Sequence, residues 1–152
     1  EIILVTSGGS AVRFKEKDVR PMGRGAGGVI GMRLDKDVRV VGAEVIPSKS
    51  STGLKLLVVM SNGYGKRTEL SSYKQQRRGG KGVLTAKITS RTGELVSAHV
   101  TSEENKEIIA VSRKGQVIRT ELGSISVLSR ATQGVRIMKL DSGDAVASVV
   151  VV

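Results

Sequence analysis

Val59-Met60-Ser61-Asn62-Gly63-Tyr64-Gly65-Lys66-Arg67 decides the fold, because its pattern is present three times. Val59, Gly63 and Arg67 stand 54 positions after Val5, Gly9 and Arg13, and 52 positions before Val111, Gly115 and Arg119. Farther along, Gly28, Val29 and Leu34 return at the same steps as Gly82, Val83 and Ile88, then as Gly134, Val135 and Leu140. Six positions held in register across three copies mark a repeat architecture. Beyond them Val41, Val96 and Val146 lie 55 and 50 apart, a slip that falls in a turn, where length changes are tolerated.

Each copy reads as four short strands, in the first Ile2–Thr6, Ala11–Phe14, Val29–Leu34 and Val38–Val45. Val, Ile and Thr dominate these runs, and Gly, Ser, Asn and Asp bound them. Ser7-Gly8-Gly9-Ser10, Ser61-Asn62-Gly63-Tyr64 and Arg113-Lys114-Gly115-Gln116 occupy one place in each copy, where glycine supplies the positive φ of a tight hairpin. No dozen residues keep an apolar stripe at helical spacing. The expectation is therefore an all-β, propeller-like domain over 1–152, built of four-stranded antiparallel blades from repeats 1–53, 54–106 and 107–152. Closed rings of this kind have about four to eight blades. Three copies make an arc, so a fragment of a larger ring, or self-association through the exposed blade faces, is expected. The chain opens on Glu1 ahead of Ile2-Ile3-Leu4-Val5 and closes inside Val149-Val150-Val151-Val152, as if cut from something longer.

Composition narrows the partner. Lysine and arginine number 25 against 14 acids, a net charge of +11, and 39% of the 152 residues are apolar, enough for a core. Nucleic acid heads the polyanions such a charge attracts. Three aromatics, Phe14, Tyr64 and Tyr73, leave no platform for stacking single-stranded bases, so backbone contact to a duplex fits better. There is no cysteine and one histidine, His99, which excludes thiolate and multi-histidine metal sites and suits a cytoplasmic setting. No run approaches the roughly 18 apolar residues of a membrane-spanning helix, and no membrane partner is expected.

The densest charge is Lys74-Gln75-Gln76-Arg77-Arg78-Gly79-Gly80-Lys81-Gly82, between the second and third strands of the middle copy. Four cations among glycines that permit close backbone approach are what a row of phosphates requires. Arg24 and Arg130 occupy the position of Arg78 in the other copies. Arg13, Arg67 and Arg119, with Lys66 beside them, recur on the second strand and would carry a basic stripe from blade to blade. Ordinary solvation of loops and edge strands accounts for such charges equally well. The distribution favours the middle copy, with ten basic and four acidic residues in 54–106, against nine and six in 1–53 and six and four in 107–152.

Gln76-Arg77-Arg78-Gly79-Gly80-Lys81-Gly82 resembles, at all seven positions, the gyrase A box of the carboxy-terminal domain of the DNA gyrase A protein. Asn62-Gly63-Tyr64-Gly65-Lys66-Arg67-Thr68 and Arg130-Ala131-Thr132-Gln133-Gly134-Val135 also resemble blade segments of that family, so the likeness covers essentially the whole chain. It implies a beta-pinwheel, a six-bladed relative of the propeller. It also implies sequence-nonspecific binding of duplex DNA around a basic rim and chiral wrapping in support of ATP-dependent negative supercoiling. By the same resemblance Gln76 to Gly82 fasten the wrap. The implied partners are duplex DNA, the remainder of the gyrase A protein and, through it, the gyrase B protein. The fragment itself is expected to hold no catalytic residue, metal or cofactor, since ATP and magnesium belong to other domains of the parent enzyme, a type II topoisomerase. One departure is notable. The family's box typically sits on the first of six blades, whereas here a whole copy precedes it, leaving 76–82 as either the essential box or a second one.

Two alternatives stand beside this reading: the C-terminal domain of the topoisomerase IV A protein, whose box is usually degenerate, and a protein-interaction propeller that binds an acidic partner. Enzyme readings fail on context. Gly23-Arg24-Gly25-Ala26-Gly27-Gly28 satisfies a dinucleotide-binding pattern, but that motif must open a helix and Val29–Leu34 reads as a strand. Gly80-Lys81-Gly82 lacks the hydroxyl residue that follows a phosphate-loop lysine.

Overall fold

A computed structural model of the chain describes residues 1–47 and 53–152; the end of the first repeat, 48–52, lies outside the described residues. The strands are β1 (Ile2–Thr6), β2 (Ser10–Phe14), β3 (Val40–Val45), β4 (Lys55–Met60), β5 (Tyr64–Glu69), β6 (Val83–Leu84), β7 (Leu95–Thr101), β8 (Glu107–Ser112), β9 (Val117–Glu121), β10 (Val135–Arg136) and β11 (Val146–Val151). Helical structure among the described residues amounts to 3₁₀ turns at Glu16–Asp18, Leu70–Ser72 and Leu122–Ser124, one after the second strand of each repeat. None is long enough to cross a membrane.

Three antiparallel sheets form, ordered β3-β1-β2-β6, β10-β5-β4-β7 and β11-β8-β9. The all-β blade architecture is as expected, but the strands are shared differently. The third strand of the second and of the third repeat leaves its own blade and closes the blade before it. Val83 of the second repeat pairs with Ala11 of the first, and Val135 of the third pairs with Gly65 of the second. Val29–Leu34, expected as a strand, is irregular, because among the described residues no earlier blade offers it an edge. Ile30 and Leu34 are consequently 63% and 45% exposed.

Alternation along each strand sends side chains to opposite faces and builds two cores between three blades. Ile3 and Val5 of β1 meet Leu56, Val58 and Met60 of β4 in one core; Leu57 and Val59 of β4 meet Ile108 and Ala110 of β8 in the other. The second blade is thus apolar on both faces, and all of Leu56–Met60 is buried. The inner strands β3, β7 and β11 lie side by side, with His99 among them. Its Nδ1 lies 3.2 Å from the Glu44 carboxylate, and its Nε2 lies 2.7 Å from Ser97 Oγ and 3.2 Å from the Val149 carbonyl oxygen. His99 is a structural tie between repeats. The outermost positions in the first two sheets belong to β6 and β10, each led in by a loop that ends on a glycine, Gly82 and Gly134.

Candidate nucleic-acid interface

The loop at 76–82 is fixed by its backbone. Gln76 N donates to the Arg13 carbonyl at 2.7 Å, Gly79 N to Gly31 O at 2.7 Å, and Arg33 N to Gly80 O at 2.9 Å. Gly79 and Gly82 adopt φ of 81° and 78°, the left-handed region that glycine enters without steric cost. At Gly82 freedom of φ is only half the reason: a Cβ there would collide with the Ala11 carbonyl, because the loop turns into β6 directly against β2. The loop therefore rests on the first blade, bonded to the irregular segment around Gly31.

Two of its cations are structural in whole or part. Arg78 is half-buried; its Nε donates to Asp18 O at 2.8 Å and its Nη1 to Ile30 O at 3.0 Å. Arg130, its equivalent, donates from Nη1 to Leu84 O at 3.0 Å. Lys81 reaches Asp35 Oδ1 at 2.6 Å, but both partners are about 70% exposed, so water and salt compete freely for the pair. Lys74 and Arg77 are exposed at the same loop, and Arg24 is exposed in the irregular segment of the first repeat.

The second-strand series is a seam. Arg13 Nη1 donates to Leu70 O at 3.1 Å and Tyr73 O at 3.3 Å, while Arg67 donates from Nε to Ile125 O at 2.9 Å and from Nη2 to Gly123 O at 3.2 Å. Each guanidinium thus grips the 3₁₀ turn of the following repeat and locks blade to blade. Arg119, the third of the series, is exposed and pairs with Glu107. The expected outer stripe through Arg13 and Arg67 is replaced by these inter-blade clamps.

Lys66 corrects the sequence expectation most sharply. It is fully buried, and its ammonium donates to Ser129 O and Arg130 O at 2.6 Å each and to Thr132 Oγ1 at 2.9 Å. A duplex cannot reach it. Burial, with the Arg130 guanidinium nearby, lowers its pKa to about 8. Lys66 holds the 129–132 loop from beneath, so its contribution is to shape. Among the described residues no group of three or more His, Asp or Glu is placed to hold a metal ion.

Sequence reasoning missed Arg91 and Arg136, which stand in no repeated position with a cation. Arg91 Nε donates to the Tyr64 hydroxyl at 2.9 Å and Arg136 Nη2 to the same oxygen at 3.1 Å. Both guanidinium carbons also lie over the Tyr64 ring, 5.2 and 5.5 Å from its centroid. These two donors hold the phenol pKa below its ordinary value. The register Tyr64 to Arg136 across β5 and β10 creates the pair, and only the strand exchange between repeats reveals it.

The DNA gyrase C-terminal domain, beta-propeller family matches residues 1–47, 55–102 and 106–152. The gyrase A protein of Staphylococcus epidermidis is 45% identical over 150 residues, covering 98% of this chain and 16% of that protein. That of Mycobacterium leprae is 40% identical over 151 residues, covering 98% and 12%. The chain thus spans about one sixth of such relatives or less. A solved DNA gyrase A C-terminal domain is 32% identical with a TM-score of 0.87, over 99% of this chain and 50% of that one. A solved topoisomerase IV C-terminal domain reaches a TM-score of 0.89 at 24% identity, over 99% and 46%, a likeness of fold.

Proposed function

Since this chain belongs to the DNA gyrase C-terminal domain family, we propose that it binds duplex DNA along the outer edge of its blades and bends it as part of a gyrase A protein. One observation carries the reading: the 76–82 loop is held by backbone bonds to the first blade while Lys74 and Arg77 are exposed and Lys81 is only loosely paired. A loop backbone fixed in place before the partner arrives loses little freedom on binding. Arginine and lysine on phosphates position a duplex without reading bases, so recognition is blind to sequence.

Smooth bending of 20–30 base pairs through 40–90° costs about 1–6 kcal/mol, more than one loop supplies, so contacts extend over successive blades. The rest of the gyrase A protein, and the gyrase B protein through it, would use the bent DNA for supercoiling. With about six phosphates neutralised, the logarithm of affinity falls with the logarithm of salt at a slope near −5. The test replaces Lys74, Arg77 and Lys81 with alanine together. Duplex affinity should drop and the slope flatten by about three. Nicked plasmid sealed by ligase in the presence of the chain then reports wrapping: a positive linking-number shift that grows with protein supports it. Unchanged DNA affinity, with loss of binding to a polyglutamate probe, would instead establish a protein-interaction role.

A further inference from the structure

We propose that Arg91, Tyr64 and Arg136 form a second phosphodiester site, at the outer edge of the second blade and separate from the 76–82 loop. The inference rests on the DNA reading above and adds to it where the backbone crosses the next blade.

The arrangement is a fork on a platform. Tyr64 opens β5 and is 6% exposed, so its ring is fixed. Arg136 arrives on β10, the outermost strand of that sheet, and Arg91 on the turn between β6 and β7. Asn62 Nδ2 pins this turn by donating to Ser90 O and Arg91 O, both at 3.1 Å. The phenol oxygen accepts from both guanidiniums, which leaves most of the five N–H donors on each arginine unused by it. Neither arginine forms an ion pair among the described residues. Two like charges brought onto one oxygen without a carboxylate repel each other, and an anion seated between them relieves that repulsion. Lys139 adds a third cation to the same hollow. Asp141 and Asp144 line its other side, but Asp144 is engaged by the backbone amides of Lys114 at 3.1 Å and Ala145 at 2.8 Å.

Phosphodiester is favoured over carboxylate by placement. Arg136 follows the 128–134 loop just as Leu84 follows 76–82, so both anion sites lie on consecutive outer strands, β10 and β6. A backbone with one charge every few ångströms can occupy both, and a guanidinium pair offers the bidentate geometry that phosphate oxygens accept. The first and third repeats carry Ser10 and Gln116 where the second has Tyr64, so the site belongs to one blade alone.

The experiment measures duplex affinity by anisotropy across a salt series for the unaltered chain, Arg91→Gln with Arg136→Gln, and Arg113→Gln as an exposed control. A slope flattened by about 1–2 in the double variant and unmoved by more than half that in the control is expected. Arginine Nε–H resonances of the unaltered chain, followed as a short duplex is added, give a reading that needs no variant. Arg91 and Arg136 should shift where Arg113 does not. If the unaltered chain shows salt-dependent binding while the double variant keeps its slope and these resonances stay still, this site is wrong and the DNA reading stands. If the unaltered chain shows no salt-dependent binding, both are wrong.

Discussion

The first two sheets each receive a strand from the following repeat, while the third has no fourth strand among the described residues. The same sequence positions behave differently on the two sides of that divide. Gly65, against which Val135 packs, is buried and so tight that a Cβ would lie 2.7 Å from the Val58 carbonyl oxygen. Its counterpart Val117 carries a full side chain and is 60% exposed. Val83–Leu84 is a strand; Val29–Leu34, with no edge to join among the described residues, is not. A residue here is therefore strand, clamp or turn by virtue of the neighbouring blade, and its own propensity decides much less.

The largest effect should separate equivalent glycines. Gly28, Gly82 and Gly134 all have φ near +80°, yet a Cβ on Gly28 meets nothing within 4 Å, one on Gly82 collides with the Ala11 carbonyl, and one on Gly134 lies 2.5 Å from the Gly65 carbonyl oxygen. Alanine at position 28 should cost about 1 kcal/mol, the left-handed strain alone. At 82 or 134 backbone must also move, and the cost should reach about 3 kcal/mol or more. Urea unfolding of the three variants checks this. Equal losses would show that the glycines serve only their own turn and that interlocking adds nothing.

Lys66 sharpens the comparison through pH. The equivalent positions are Val12 and Ile118, so this place in the blade accepts an apolar side chain, and Lys66 is present for the carbonyls of the 129–132 loop. Lys66→Met should destabilise by about 2 kcal/mol at neutral pH by leaving those acceptors without their charged donor. The folded pKa of about 8 lies below the ordinary 10.5, so the native state releases this proton first. The unfolded state then binds more protons between about pH 8 and 10.5, and this group's contribution to stability rises with pH across that window. The difference between the unaltered chain and Lys66→Met should accordingly grow from pH 8 to 10, as read by thermal unfolding. A pH-independent difference would mean that the lysine is not buried as described.

The repeat, the all-β class and the turn glycines were legible in sequence because each is a local pattern: alternation, a tight turn, a fixed spacing. The position of the 76–82 loop was legible for the same reason. What sequence hid was ownership. Periodicity assigned Val83 to the blade of its own repeat, since nothing in a spacing of 54 says that a strand crosses to its neighbour. The same blindness to the neighbouring repeat misassigned Arg13 and Arg67, which grip its 3₁₀ turn, and Lys66, which its 129–132 loop covers, as surface cations. It also concealed Arg136, which meets Tyr64 only in the exchanged register. Charge counted along a chain locates a field; which charges face solvent depends on long-range pairing.

The smallest effect tests the clamps themselves. Arg67 donates to two carbonyls of the third repeat and is half-buried, whereas Arg119, lacking a following repeat among the described residues, is 69% exposed and pairs with Glu107. Charge-assisted bonds to partly enclosed carbonyls contribute about 1.5–3 kcal/mol, while an exposed ion pair contributes about 0–1 kcal/mol. Arg67→Ala should therefore lower stability by roughly 2 kcal/mol, and Arg119→Ala by less than about 1 kcal/mol. Amide exchange gives the same contrast without substitution, because Arg67 N donates across the seam to Ser126 O at 3.0 Å. Protection at Arg67 should exceed that at Arg119, since opening the first requires two blades to part and opening the second only an edge strand to fray. If a later blade is supplied, covalently or as a second copy, and covers β9, the protection of Arg119 should rise toward that of Arg67. Persistently fast exchange at Arg119 with such a blade bound would show that the third sheet closes by some contact other than the one that joins the first two.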